Sequence, residues 1–126
     1  MKEFEYDEIK FEIGGMLFTW DDEKEKINIK KHGVDFSSAA GVFLDDDAVY
    51  ECNFLDENTG EERLDVIGMT MGSLMFVVYV ERLTSDDNKN IVRIISARFA
   101  TKKESKVYVN GTRWFSCTGK DFGGKR

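Results

Sequence analysis

Apolar residues alternate with charged ones at Ile9, Phe11 and Ile13, the period-2 pattern of a half-buried strand. Gly14-Gly15 interrupts the alternation, and an apolar run resumes over residues 16–20. Two strands around a Gly-Gly pair predict a tight hairpin, because both central residues of a type I′ turn need positive φ. Residues 1–7 read as a lead-in to it. After Trp20 the signals become helical. Asp21 or Asp22 can cap a helix, Glu23 and Glu25 sit near its positive end, and Lys30 and Lys31 near its negative end. Gly33 suits the left-handed closing position, which makes His32 a C-terminal residue of the helix. The apolar face is thin, since Ile27 and Ile29 lie about 200° apart around a helix axis. Docking is therefore expected through Ile27, Trp20 and lysine stems. Asp35 caps a second helix, in which Phe36, Ala39, Ala40 and Phe43 follow the i, i+3, i+4, i+7 pattern.

The second half of the chain is strand-rich. Residues 48–52, 63–69, 74–82 and 91–99 read as strands, separated by a polar loop at 56–62, a hairpin turn at 70–73 with Gly72, and a polar loop at 83–90. The 74–82 strand is apolar on both faces, so it is expected to be central and covered on both sides. Thr101 and Glu104 form a capping box for a third helix ending near Gly111, and residues 112–126 read as an irregular tail. The expected fold is α+β: a twisted antiparallel sheet with two N-terminal helices and one C-terminal helix packed on it.

Composition bounds this picture. A chain of 126 residues with 41% hydrophobic content suits one domain spanning 1–126, with its core at about 16–110. No apolar run approaches the roughly 20 residues of a membrane helix, and the acidic, broken N-terminus does not read as a signal peptide. Cys52 and Cys117 allow at most one bridge, and no spaced Cys/His set suggests a metal. A reduced, cytoplasmic protein without a cofactor is expected. The net charge of −6 hides an asymmetry: residues 1–62 carry 6 Lys/Arg against 18 Asp/Glu, and residues 63–126 carry 12 against 6. A cationic surface for an anionic ligand is one reading; a fold that intermixes the halves is the other.

The chemistry rests on polar residues, because no phosphate-binding glycine loop or serine-nucleophile elbow is present. Arg63, Arg82, Arg93 and Arg98 lie on or beside strands, Lys102 and Lys103 open the last helix, and Lys30 and Lys31 precede His32. Each arginine has an ordinary alternative in an ion pair with this chain's many carboxylates, and His32 has one in bonding a nearby carbonyl. Together they suit metal-independent RNA cleavage. A histidine titrating near neutrality moves protons, and guanidinium forks hold a phosphate whose charge grows in the transition state.

One pattern is more specific. Trp20-Asp21, Lys24, Asn28, Lys31-His32-Gly33-Val34 and Phe36 are followed by Ala39-Ala40, Val42-Phe43, Gly60-Glu61-Glu62-Arg63, Ile67-Gly68-Met69, the VVYVER of 77–82, the RIISAR of 93–98 and Ala100-Thr101. In this order, over roughly residues 18–108, they resemble the BrnT family of bacterial type II toxins. The resemblance implies a RelE-like ribonuclease fold, RNA cleavage that arrests translation, and neutralisation by a BrnA-type antitoxin. DNA would be reached only through that antitoxin, and a dimer within the complex is a further possibility it raises. On this chain the expected catalytic residues are His32, Arg63, Arg82 and Arg98, with Lys30, Lys31, Arg93, Lys102 and Lys103 as RNA contacts. RNA binding depends on cationic contacts, so a pI near 4.9 keeps a second expectation open: a weak or inactive binding partner retained for antitoxin complex formation and operon regulation.

Overall fold

Local signals set most of the elements. In the computed structural model, which describes residues 9–55, 57–58, 62–83 and 90–111 (without the side chains of 52–54, 82, 83 and 90), strands β1 (Phe11–Ile13) and β2 (Met16–Thr19) form the expected hairpin. Gly14 and Gly15 take φ of 59° and 82°, as the type I′ turn demands. Helix α1 (Asp22–His32) is capped by Asp21, whose carboxylate accepts from the amides of Glu23 and Lys24, and closes on Gly33 at φ 73°. Asp35 caps α2, but α2 is a single turn (Phe36–Ala39) that tightens into a 3-10 helix over Ala40–Leu44. The tight path fits a close approach: a Cβ on Gly41 would lie 2.1 Å from the Thr70 hydroxyl.

Strands β3 (Val49–Leu55), β4 (Glu62–Thr70), β5 (Ser73–Leu83) and β6 (Asn90–Phe99) follow, then α3 (Lys102–Asn110) with the Thr101/Glu104 capping box in place. The sheet runs β1-β2-β6-β5-β4-β3, so apolar β5 is interior as expected. One pairing corrects the all-antiparallel expectation: β2 lies parallel to β6, with Phe18 opposite Val92. The hairpin therefore extends the sheet from the flank of the last strand, with β2 beside β6 and β1 at the outer edge.

The core fills one face of the sheet. Phe18, Val66, Val77, Tyr79, Val92, Ile94 and Ala97 meet Val34, Phe36, Ala39, Ala40 and Val42 from the helical segment, and all are essentially inaccessible. Phe43 stacks edge-on against Tyr79 at 4.8 Å between centroids. Alternation along the strands turns Arg63, Asp65 and Ile67 of β4 and Arg93 and Arg98 of β6 to the opposite face. The polar loops at 56–62 and 83–90 fall largely outside the described residues, and the lead-in, the tail, the side chain of Cys52, and Cys117 fall outside them altogether.

Candidate active site

The docking of α1 departs from the expectation in an informative way. Ile27 and Ile29 are 63% and 44% exposed, and the only residue of α1 that is buried is Asn28. Its amide nitrogen donates to the carbonyls of Val34 (2.9 Å) and Ala97 (2.8 Å), and its amide oxygen accepts from the Ala97 N–H (3.1 Å). The pairing of β2 with β6 stops at Thr19–Arg93. Beyond that point Asn28 supplies to Ala97 the donor and acceptor a neighbouring strand would have supplied. A polar helix can dock this way because a buried backbone edge requires partners, and a primary amide offers both kinds. The side chain fixes both the height and the rotation of α1 against β6.

That rotation creates a cleft of about 190 Å³, lined by Lys24, Ile27, Asn28, Lys31 and His32 from α1 and by Ile95 and Ser96 from β6. Here β6 carries a register irregularity: Val78 pairs Ser96 and Tyr79 pairs Ile94, so Ile95 is the extra residue of a bulge. Bulges re-aim side chains, and this one brings two consecutive residues to the cleft. His32, half-buried, makes no hydrogen bond with another described residue, whereas Lys24 and Lys31 are exposed at the rim.

The arginines are distributed differently. Among the described residues no arginine lines the cleft. Arg93 and Arg98 stand on β6 on either side of Ser96, opposite Val80 and Phe76. Arg98 is committed: its two terminal nitrogens meet the Glu104 carboxylate at 2.9 and 2.8 Å, and its guanidinium lies 4.3 Å from the Phe76 ring centroid. The hydrogen bonds to Glu104 raise the arginine's pKa further above its already high value. Burial opposes ionisation of Glu104, but Arg98 and the Thr101 amide outweigh it and hold the carboxyl below the usual range. For Arg98 the ordinary ion-pair alternative is therefore what the structure shows. Arg93 lies near enough to Asp21 to help hold that carboxylate's pKa down, after the larger effect of the Lys24 amide. Arg63 is exposed on β4. Arg82 occupies the register position opposite Ile91, and its side chain lies outside the described residues. Lys30, Lys102 and Lys103 are exposed, the last two in the first turn of α3.

The structure thus groups His32 with Lys31 and leaves Arg63, Arg93 and Arg98 outside the lining of that cleft. Lys24 and Ser96 escaped the sequence reading. Lys24 was accessible to it, because seven residues bring a helix to within about 20° of the same face. Ser96 was not, because only the bulge at Ile95 decides that it meets α1.

Fold and cleft together define an α+β protein: a six-stranded, mostly antiparallel sheet with three helices and a cationic, histidine-bearing groove along one strand. Residues 20–104 match the family model described as the ribonuclease toxin, BrnT, of type II toxin-antitoxin systems. That span is most of the chain, and the chain belongs to the BrnT family. Membership implies an antitoxin partner. No curated protein matches the chain. Among the described residues no helix is long and apolar enough to cross a membrane.

Proposed function

We propose that the chain is a cytoplasmic, metal-independent endoribonuclease on a RelE-like single domain, held inactive by a BrnA-type antitoxin through which alone it reaches DNA. The observation that carries this reading is the placement of His32 in a cleft with Lys24 and Lys31. It joins an imidazole, a side chain that can donate and accept protons, to cations able to hold a phosphodiester. Cleavage needs the 2′-hydroxyl deprotonated, charge on phosphorus held and the leaving 5′-oxygen protonated. His32 serves proton transfer, and Arg63 and Arg82 serve the phosphate. Lys30, Lys31, Arg93, Lys102 and Lys103 serve the RNA backbone. Arg98, bound by Glu104, acts in this reading by anchoring α3.

Purified protein is expected to cleave RNA in the presence of a chelator. His32→Ala should lower the rate by about 10²–10⁴-fold, the usual worth of a proton-transfer residue. Arg63→Ala should lower it as well, with stability changed by no more than about 0.5 kcal/mol because the residue is exposed. Folded protein that leaves RNA intact and growth unaffected would sink the proposal. The acidic pI of 4.9 and the engaged Arg98 favour a second reading, in which the chain is kept for antitoxin binding and operon regulation. That reading predicts tight association with the antitoxin, with or without dimerisation, and no His32-dependent growth arrest.

A further inference from the structure

We propose that the α1–β6 cleft is a phosphate subsite for RNA, with Lys24 and Lys31 as its cationic walls and Ser96 as a hydroxyl donor; the assignment to RNA rests on the ribonuclease reading. Helix α1 carries Asp22, Glu23 and Glu25 in its first turn, and the whole chain has a net charge of −6, yet among the described residues no carboxylate lines this cleft. Asp21 accepts from the amides of Glu23 and Lys24 and also feels the Lys24 charge, without an ion pair between the two side chains. Among the described residues neither lysine is in an ion pair.

Geometry narrows the ligand. Lys24 and Lys31 are separated by seven residues, about 10 Å along the axis, and stand one turn to either side of Asn28. The Asn28 amide is spent on Val34 and Ala97, so the floor between the lysines is fixed and has no group left to bind a cation. Ile27 and Ile95 add apolar surface between the polar groups. The volume of about 190 Å³ falls below the roughly 300–1,000 Å³ of pockets that enclose whole organic ligands. It fits one charged group of a longer molecule, with the remainder of the strand passing over Ser96 onto the face that carries Arg93 and Arg63.

Steady-state cleavage by the full-length chain tests this with Lys24→Met, which keeps the stem and removes the charge. The expected result is a KM about tenfold higher, the worth of one charged hydrogen bond, with kcat within about twofold. The slope of log affinity against log salt should become shallower by about 1, and Lys24→Arg should restore both. A parallel titration with inorganic phosphate, read from the backbone amide resonances of Lys31 and Ser96, needs no catalysis. Shifts in the wild type that Lys24→Met abolishes support the subsite even if RNA is not cut, which separates its failure from failure of the ribonuclease reading. An unchanged KM and salt slope in active Lys24→Met would overturn the proposal. So would phosphate shifts indifferent to Lys24, or phosphate binding that RNA does not compete away, which marks a site for free anion.

Discussion

Along one side of β6, Lys24, Lys31 and His32 face a cleft without a carboxylate, whereas further along the strand Arg98 is gripped by both oxygens of Glu104. Both clusters come from motif-like stretches and both are cationic, yet only one has charge to spare for a ligand. The difference lies in the facing helix. Helix α1 meets β6 through a neutral amide, and among the described residues its Lys24 and Lys31 form no ion pair. Helix α3 is attached through ionised and phenolic groups: Glu104 on Arg98 of β6, and the Tyr108 hydroxyl donating at 2.6 Å to Asp45, just after the 3-10 helix. No residue of α3 is buried, so these polar contacts carry much of its attachment. A cation beside β6 is thus left open to a ligand or held as a structural anchor according to the groups that the packed helix sets around it.

The sharpest way to break this contrast is Asn28→Ala. It strips partners from the Ala97 N–H and from the carbonyls of Ala97 and Val34 in a buried setting. A loss of about 3 kcal/mol is expected, since each unsatisfied buried group costs about 1–3 and the costs do not add fully. Urea unfolding measures it; a loss under about 1 kcal/mol would mean that α1 is held by something other than its amide.

A smaller effect is expected at the other cluster. Glu104→Gln and Arg98→Ala should each cost about 2 kcal/mol, and a double-mutant cycle should show about 1 kcal/mol of coupling. The pair is only part-buried, so it should fall short of the Asn28 substitution. If the two substitutions are additive, the ion pair does not anchor α3.

The smallest effect concerns alkaline pH. Burial and the hydrogen bond to Asp45 push the Tyr108 hydroxyl up to about 12, from an ordinary value near 10. A folded-state pKa raised in this way contributes stability that is present in full below about pH 10 and is lost as pH rises through about 12. Tyr108→Phe should lack this part of the alkaline decline. Identical pH profiles for wild type and variant above pH 10 would remove Tyr108 from the attachment of α3.

Part of this contrast was legible along the chain. The Thr101/Glu104 capping box reads directly, and its glutamate does cap the helix, but the same carboxylate also captures Arg98. A short-range pattern reports the first role and is silent on the second. His32 at the end of α1 follows from Asp21 and Gly33, so its position was legible while its neighbours on β6 were not. Ile27 misled, because a periodicity argument assumes that helices dock through apolar faces, and this one docks through an amide.

What the sequence alone determined is therefore what adjacent residues settle among themselves. These are the I′ turn at Gly14-Gly15, the caps of all three helices, the alternation of the strands and the apolar character of β5. The tertiary structure decided the parallel pairing of β2 with β6, the insertion of Asn28 against Ala97, the bulge that brings Ser96 to the cleft, and which cations remain available. Capping and turn chemistry act over a few residues, within reach of a single side chain. Strand order, and the choice between a free lysine and a paired arginine, depend on groups that are distant in sequence or carried on another element, and only folding sets the distance between them.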